Sequence, residues 1–155
     1  MPKEEYLETI DVPAELTDRP GFLLRKAHQV AVAIFTEEAR HLSLTPPQHN
    51  VLSAVARFPG CSQSEISRAV GYDRATVGAV LVGLEARHLV RRQSSSHDRR
   101  LKVLTLTRQG KELLQAAAPV TKRINHRVVE ALSADERRVF IRCLAKIALS
   151  RKTDT

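Results

Sequence analysis

Three helix starts are written into this chain in the same grammar. Thr45 and Gln48, Ser62 and Glu65, and Ser133 and Glu136 each set a hydroxyl three residues ahead of a Gln or Glu. At that spacing the two side chains accept from backbone N–H groups that the first turn of a helix leaves without partners. Stops are equally plain, at Phe58-Pro59-Gly60 and at Gly71. Asp73 adds a fourth start as a good N-cap. A chain punctuated this closely reads as mainly α, built from short helices. Its longest apolar run falls far short of the roughly 20 residues that span a bilayer. At 155 residues it suits one domain with its own core, or a compact core with appended helices.

Apolar spacing fills in the helices. Leu23, Ala27, Val30 and Ile34, with Phe35 beside them, mark a first helix near 19–42. Asp18 is its expected N-cap, and Pro20 suits its first turn. The second helix follows Thr45-Pro46-Pro47-Gln48, and the third opens at Ser62 and stops at Gly71. The fourth runs from Asp73 to about His88, with Val77, Leu81 and Leu84 turned inward. The fifth spans Thr107 to about Leu132, striped by Leu113, Ala117, Val120, Ile124 and Val128. Pro119 is expected to kink it, since proline removes a backbone donor and crowds the preceding turn. The sixth begins at Ser133 and carries Val139, Phe140, Cys143, Leu144 and Ile147 on one face, with Cys143 read as core packing.

Between the fourth and fifth helices the period changes. Leu89 to Arg92 reads as a short strand, Gln93 to Asp98 as a polar tip, and Arg100 to Leu106 as the returning strand. This ribbon is basic, through Arg91, Arg92, Arg99, Arg100 and Lys102. The charge elsewhere is also segregated. Residues 1–18 hold one Lys against six acids, a net −5, whereas residues 60–109 hold nine bases against four acids, a net +5. A basic body behind an acidic arm is a common electrostatic footprint for nucleic acid, although a well-charged soluble surface has the same arithmetic. Aromatics are scarce, with no Trp, two Tyr and four Phe, which argues against single-strand binding by base stacking. Two cysteines, Cys61 and Cys143, make no disulfide framework and point to a reducing, cytoplasmic compartment.

A short helix, a turn holding Gly71 and a longer helix over 62–88 have the size of a helix-turn-helix. A basic ribbon directly behind them completes the layout of a winged helix-turn-helix. Here the sequence resembles the MarR family of bacterial transcriptional regulators. The likeness runs from Leu44 to Leu114, through L-T-P-P-Q-H-N-V-L, S-Q-S-E-I-S-R-A-V-G-Y-D-R-A-T-V, L-E-A-R-H-L-V-R-R and H-D-R-R-L-K-V-L-T-L-T-R-Q-G. Its most specific part is the wing motif, carried by Asp98, Arg100, Leu106, Thr107 and Gly110. The resemblance implies a homodimer on double-stranded DNA, with the terminal helices interlocked as a dimerisation region. The chain then divides into an acidic arm (1–18), a first dimerisation helix (19–43), a DNA-binding lobe (44–106) and C-terminal dimerisation helices (107–155). The acidic arm either crosses to the partner protomer or stays free.

By the same resemblance, Arg100 enters a minor groove, and Asp98 pairs with an arginine to shape the wing or simply caps a turn. Arg92, Ser95, His97, Arg99 and Lys102 accompany them on the ribbon. On the fourth helix, Arg74, Thr76, Gly78 and Ala79 face the bases or phosphates, and Ser62, Gln63 and Ser64 could donate to phosphate at the start of the third. Positions 78 and 79 depart from the polar or basic residues usual there, so direct base readout is thin and shape readout through the wing gains weight. His88 stands where a glycine is common, which makes a left-handed backbone there less secure.

No catalytic or cofactor signature accompanies this layout. The six histidines are scattered, with no metal-ligand spacing, and no Gly-rich phosphate loop, H-E-x-x-H or G-x-S-x-G motif exists. No cysteine lies early in the first helix, which disfavours peroxide sensing. The stretches from Arg19 to His28 and from Leu44 to Gln48 look like a subgroup that controls aromatic-acid catabolism. That likeness implies a small aromatic acid or its thioester as effector. Such a ligand needs a cation, apolar walls and a titratable donor, and Arg19, Phe22, Arg25, His28 and His49 are the candidates. For His28 a dimer-interface role stands equally, and Arg25 is also readable as a solvated base beside Lys26. Two other classes stay open: a non-sensing DNA-binding module of the same fold, and a protein-binding module.

Overall fold

The computed structural model describes residues 18–94 and 101–150, together with Glu15. Among them six α-helices and one hairpin follow in order: α1 (Pro20–Glu38), α2 (Pro46–Arg57), α3 (Gln63–Val70), α4 (Arg74–Ala86), β1 (Val90–Ser94), β2 (Lys102–Leu106), α5 (Arg108–Val128) and α6 (Ala134–Leu149). All three capping boxes form. In each, the hydroxyl accepts from the N3 backbone and the N3 side chain accepts from the cap residue's N–H.

Several boundaries differ from the sequence reading. Arg19, not Asp18, holds the cap position of α1, and its side chain makes no capping bond. The first helix ends at Glu38 and passes through a 3-10 turn, Arg40–Leu42, into Ser43, whose φ is 51°. That turn brings the Ser43 carbonyl within 2.6 Å of the Arg87 guanidinium at the end of α4. The first strand runs on through Gln93 and Ser94, because Val103 and Lys102 pair with them across the antiparallel ladder. Pro119 sits inside α5, which runs unbroken from Arg108 to Val128. The proline lies on the exposed side, so the carbonyl it leaves free faces water.

The core lies where α2, α3, α4 and β2 converge. Val51, Leu52, Val55, Ile66, Val77, Leu81, Leu84 and Leu104 are its fully buried side chains. Cys61 extends the hairpin by one bridge. Its carbonyl accepts from the Leu104 N–H, and the Gly60 N–H donates to the Leu104 carbonyl, both at 2.9 Å. Cys61 is thus tied into the sheet edge, and burial with the Glu65 charge nearby pushes its thiol pKa up.

The same core continues between α1 and α5 through Phe35, Ala39, Ala117, Val120 and Ile124. An ion cluster closes its far end. Glu38 accepts from Arg123 at 2.9 Å and from Arg127 at 2.8 Å, and Arg127 also reaches Glu37 at 3.0 Å. The Arg123 and Arg127 hydrogen bonds hold the Glu38 carboxyl below its ordinary pKa.

No residue of α6 is buried in the single chain. Cys143, expected in the core, is exposed, and Val139, Phe140, Ile141 and Ile147 stand open beside it. The apolar face is real, but among the described residues nothing buries it. Leu23, Leu24 and Val30 on α1 are left open in the same way.

Candidate functional site

The hairpin root is the best-defined junction near the site. His88 adopts the left-handed conformation, φ 54°, without a glycine to ease it. Its carbonyl accepts from the Thr107 hydroxyl at 2.6 Å, and the Leu89 carbonyl accepts from the Thr107 N–H at 3.1 Å. Thr107 also caps α5 by accepting from the Gly110 N–H at 3.0 Å. Gly110 is pressed on the same strand entry, where an added Cβ would overlap the Leu89 carbonyl oxygen. The wing-motif threonine and glycine therefore lock the ribbon to the start of α5.

The ribbon carries its bases on two sides. Arg92 leans back on α4, 3.4 Å from Glu85, while Arg91 bonds the Thr105 hydroxyl at 3.2 Å on the opposite side. Lys102 donates to Ser94 at 2.9 Å, across the last pair of the ladder. Ser95, His97, Asp98, Arg99 and Arg100 lie outside the described residues.

Helix α4 turns Val77, Leu81 and Leu84 into the core. Its opposite stripe, at Ala75, Ala79, Val82 and Ala86, faces water. Most of the polar side chains expected to meet DNA beside it are spent inside the protein. The Thr76 hydroxyl donates to Asp73 at 2.6 Å. Gln63 donates to the Arg74 carbonyl at 2.8 Å, and its amide lies 3.1 Å from where a Gly78 Cβ would stand. The Ser62 hydroxyl donates to Glu65 at 2.8 Å. Arg74 remains exposed at the edge of the stripe. Next to it a cleft of about 780 Å³ opens between α3 and α4, lined by Ser64, Ser67, Arg68, Tyr72, Arg74 and Ala75 among others. Ser67, which sequence reasoning passed over, has a buried Oγ with no partner among the described residues.

His49 is half-buried where α1, α2 and α5 meet. Its ring stands edge-on to Phe35, with centroids 5.6 Å apart, and its Nε2 lies 3.1 Å from Thr121 Oγ1. The Thr121 hydroxyl donates to the Ala117 carbonyl at 3.0 Å. With that proton committed, the Thr121 oxygen is open to accept from the ring's Nε2–H. Burial lowers the His49 pKa and favours the neutral ring, partly countered by a hydrogen bond that the ring donates to the Asn50 side chain. Thr121 and Phe35 were not among the candidate ligand residues. Arg19, Arg25 and His28 are exposed on the other half of α1, with the Arg25 guanidinium 5.2 Å from the Phe22 ring centre. Arg25 lies ten residues before Phe35, about 15 Å along the helix. Within one chain these four do not join His49.

This geometry sits on a recognisable pattern. The sequence signature of the MarR family matches residues 42–101. NicR of Pseudomonas putida, an HTH-type transcriptional repressor, is 34% identical over 137 residues, covering 88% of this chain and 87% of NicR. The chain belongs to the MarR family. Its fold agrees with solved structures of similar proteins. Bordetella bronchiseptica BpsR, whose DNA binding is regulated by 6-hydroxynicotinic acid, superposes with a TM-score of 0.83 at 32% identity, over 89% of this chain and 99% of BpsR. The repressor CouR, solved on a 23-mer DNA duplex, superposes with a TM-score of 0.82 at 33% identity, over 90% of this chain and 99% of CouR. A second CouR structure holds p-coumaroyl-CoA. As a MarR-family protein the chain is a DNA-binding transcriptional repressor and not an enzyme. No described helix is long and apolar enough to cross a membrane.

Proposed function

We propose that the chain acts as a homodimer that holds a pseudo-palindromic operator and is released from it by a small aromatic acid or its thioester. In this reading residues 44–106 form the DNA-binding lobe, and 19–43 with 107–155 form the dimerisation region. Dimerisation is supported by α6, which presents an apolar face that no described residue buries. Two α4 helices would then meet successive major grooves about 34 Å apart, one helical turn. Arg74, Arg92, Lys102 and the wing-tip residues Ser95, His97, Arg99 and Arg100 would meet phosphates or the flanking minor groove, with Ser62, Gln63 and Ser64 positioned near the backbone.

The observation that carries the effector reading is His49. A half-buried imidazole, held toward its neutral form by burial, walled by Phe35 and paired with Thr121, stands at the junction of the lobe and the dimerisation helices. It suits a ring hydroxyl; Arg19 or Arg25 as partner for a carboxylate, and Phe22 and His28 as walls, would have to come from the other protomer of the dimer. The relatives BpsR and CouR have aromatic ligands of this kind. A coupling on the order of 1–3 kcal/mol between the two sites is enough to release the operator.

Fluorescence anisotropy on the promoter beside the protein's own gene tests this, at two salt concentrations and with a panel of aromatic acids and thioesters. Tight binding that one compound abolishes is the expected result, and Arg100→Ala should cost about 1–3 kcal/mol of operator affinity. Tight binding that no compound changes would remove the effector and leave a non-sensing DNA-binding module. No specific binding would remove the operator.

A further inference from the structure

We propose that α4 reads thymine, by packing its outward stripe on the 5-methyl groups in the operator's major groove. The proposal rests on the operator-binding reading. The stripe opposite the core holds Ala75, Ala79, Val82 and Ala86, and Val82 is 65% exposed. Such a surface has no donor or acceptor for a base edge. Arg74 keeps free donors at the edge of the stripe, but the other neighbours that could supply one are engaged: Thr76 with Asp73, Gln63 with the Arg74 carbonyl, Ser62 with Glu65. What remains is apolar contact, and in the major groove of unmodified DNA the thymine methyl is the apolar group that distinguishes bases.

The surroundings select DNA over an apolar protein partner. Arg68 and Arg74 flank the stripe on one side and Arg92 and Lys102 stand on the ribbon, while the nearby acids are occupied. Asp73 caps α4, Glu65 caps α3, and Glu85 pairs with Arg92. A cationic rim around a neutral, close-fitting centre matches a phosphate-walled groove with methyl groups on its floor. The residues of the stripe are short, so the helix can approach the bases closely. CouR, similar over 90% of this chain, has been solved on a duplex, which places a protein of this fold on DNA.

The test uses the full-length protein and duplexes that it selects itself from a random pool. Each thymine in the selected half-site is replaced in turn by uracil, which deletes the methyl and keeps the base pair. At contacted positions affinity should fall about fourfold per methyl, the factor equivalent to ~0.8 kcal/mol for one buried methyl-sized group. The salt dependence should not change, because no phosphate contact is lost. Val82→Ala should weaken binding to the thymine duplex and lose nothing further on the uracil duplex at the position Val82 covers. Equal affinity for thymine and uracil duplexes overturns the proposal, as does selection of half-sites without thymine. A Val82→Ala protein that dimerises poorly but binds all duplexes with one common loss also overturns it. Failure to select any sequence is a different result, and it overturns the operator reading as well.

Discussion

Replacing Gly110 with alanine should damage the protein although it puts the best helix former into a helix. The added Cβ would overlap the Leu89 carbonyl oxygen and stand 3.0 Å from its carbon, against the roughly 3.5–4.0 Å that carbon atoms prefer. The obstacle is backbone, at the entry to β1, so no rotamer change relieves it. Either α5 lifts off the hairpin root or the root moves. Overpacking of this kind costs about 1–3 kcal/mol. The movement also endangers two hydrogen bonds, from the Thr107 N–H to Leu89 and from the Thr107 hydroxyl to His88. At about 1 kcal/mol each they add ~2 kcal/mol. The helical preference of alanine over glycine returns about 1 kcal/mol. The balance is a loss of roughly 2–4 kcal/mol, or a fall in Tm on the order of 10 °C for a chain of this size. Thermal unfolding of wild type and Gly110→Ala at equal protein concentration measures it, equal because dimer stability depends on concentration. Operator affinity should fall with it, since the wing is rooted there. An unchanged or higher Tm would mean that helix propensity dominates and that α5 is not seated tightly on the strand.

The other expectations are independent of that junction. His49 has a folded pKa below its ordinary 6.5, so the stability it confers is complete above that value and is lost as pH falls through the lowered folded pKa. Urea midpoints should drop over that range in wild type and drop less in His49→Gln. Glu38 behaves in the same direction at lower pH: its stabilisation is present above 4.5 and disappears as the carboxyl protonates. Glu38→Gln should lower the melting temperature at pH 7 and flatten the acid limb of the stability profile. Ile141→Glu, on the open face of α6, should leave helical content unchanged by circular dichroism and halve the mass measured by sedimentation.

Features legible in the sequence were those with local causes. The boxes at Thr45, Ser62 and Ser133 formed because each needs only four consecutive residues. The wing-motif Thr107 and Gly110 likewise announced the start of α5. Features that depend on distant partners were less legible. The first strand gained Gln93 and Ser94 from Val103 and Lys102, residues on the other arm of the hairpin. Thr121 meets His49 from 72 positions away, and nothing local to either residue encodes that meeting. The apolar face of α6 was readable as a face that needs cover, but its pattern holds no information on whether the cover is its own chain. Cys143 was assigned to the core for that reason, and it is exposed in the single chain. The polar candidates at Ser62, Gln63 and Thr76 stand beside α4 with their side chains bonded within the protein. Periodicity places a side chain on a surface without telling whether its hydrogen bonds are already made.

One helix connects the two halves of the proposed function. The N-terminus of α5 holds the wing root through Thr107 and Gly110, its middle touches His49 through Thr121, and its last turns grip α1 through Arg123 and Arg127. From Gly110 to Thr121 is about 16 Å of continuous helix. A helix of that length between packed ends moves as a body more readily than it bends, because bending breaks its own hydrogen bonds. A ligand that inserts at His49 therefore has two ways to act. It can tilt α5 against the ion cluster at Glu38, carrying the hairpin root with it, or it can move α2 and the lobe against a fixed α5. The Glu38 cluster separates them. If it is the fulcrum, weakening it alters how strongly the effector loosens the operator. If α5 is fixed, weakening it lowers stability and leaves the coupling as it was.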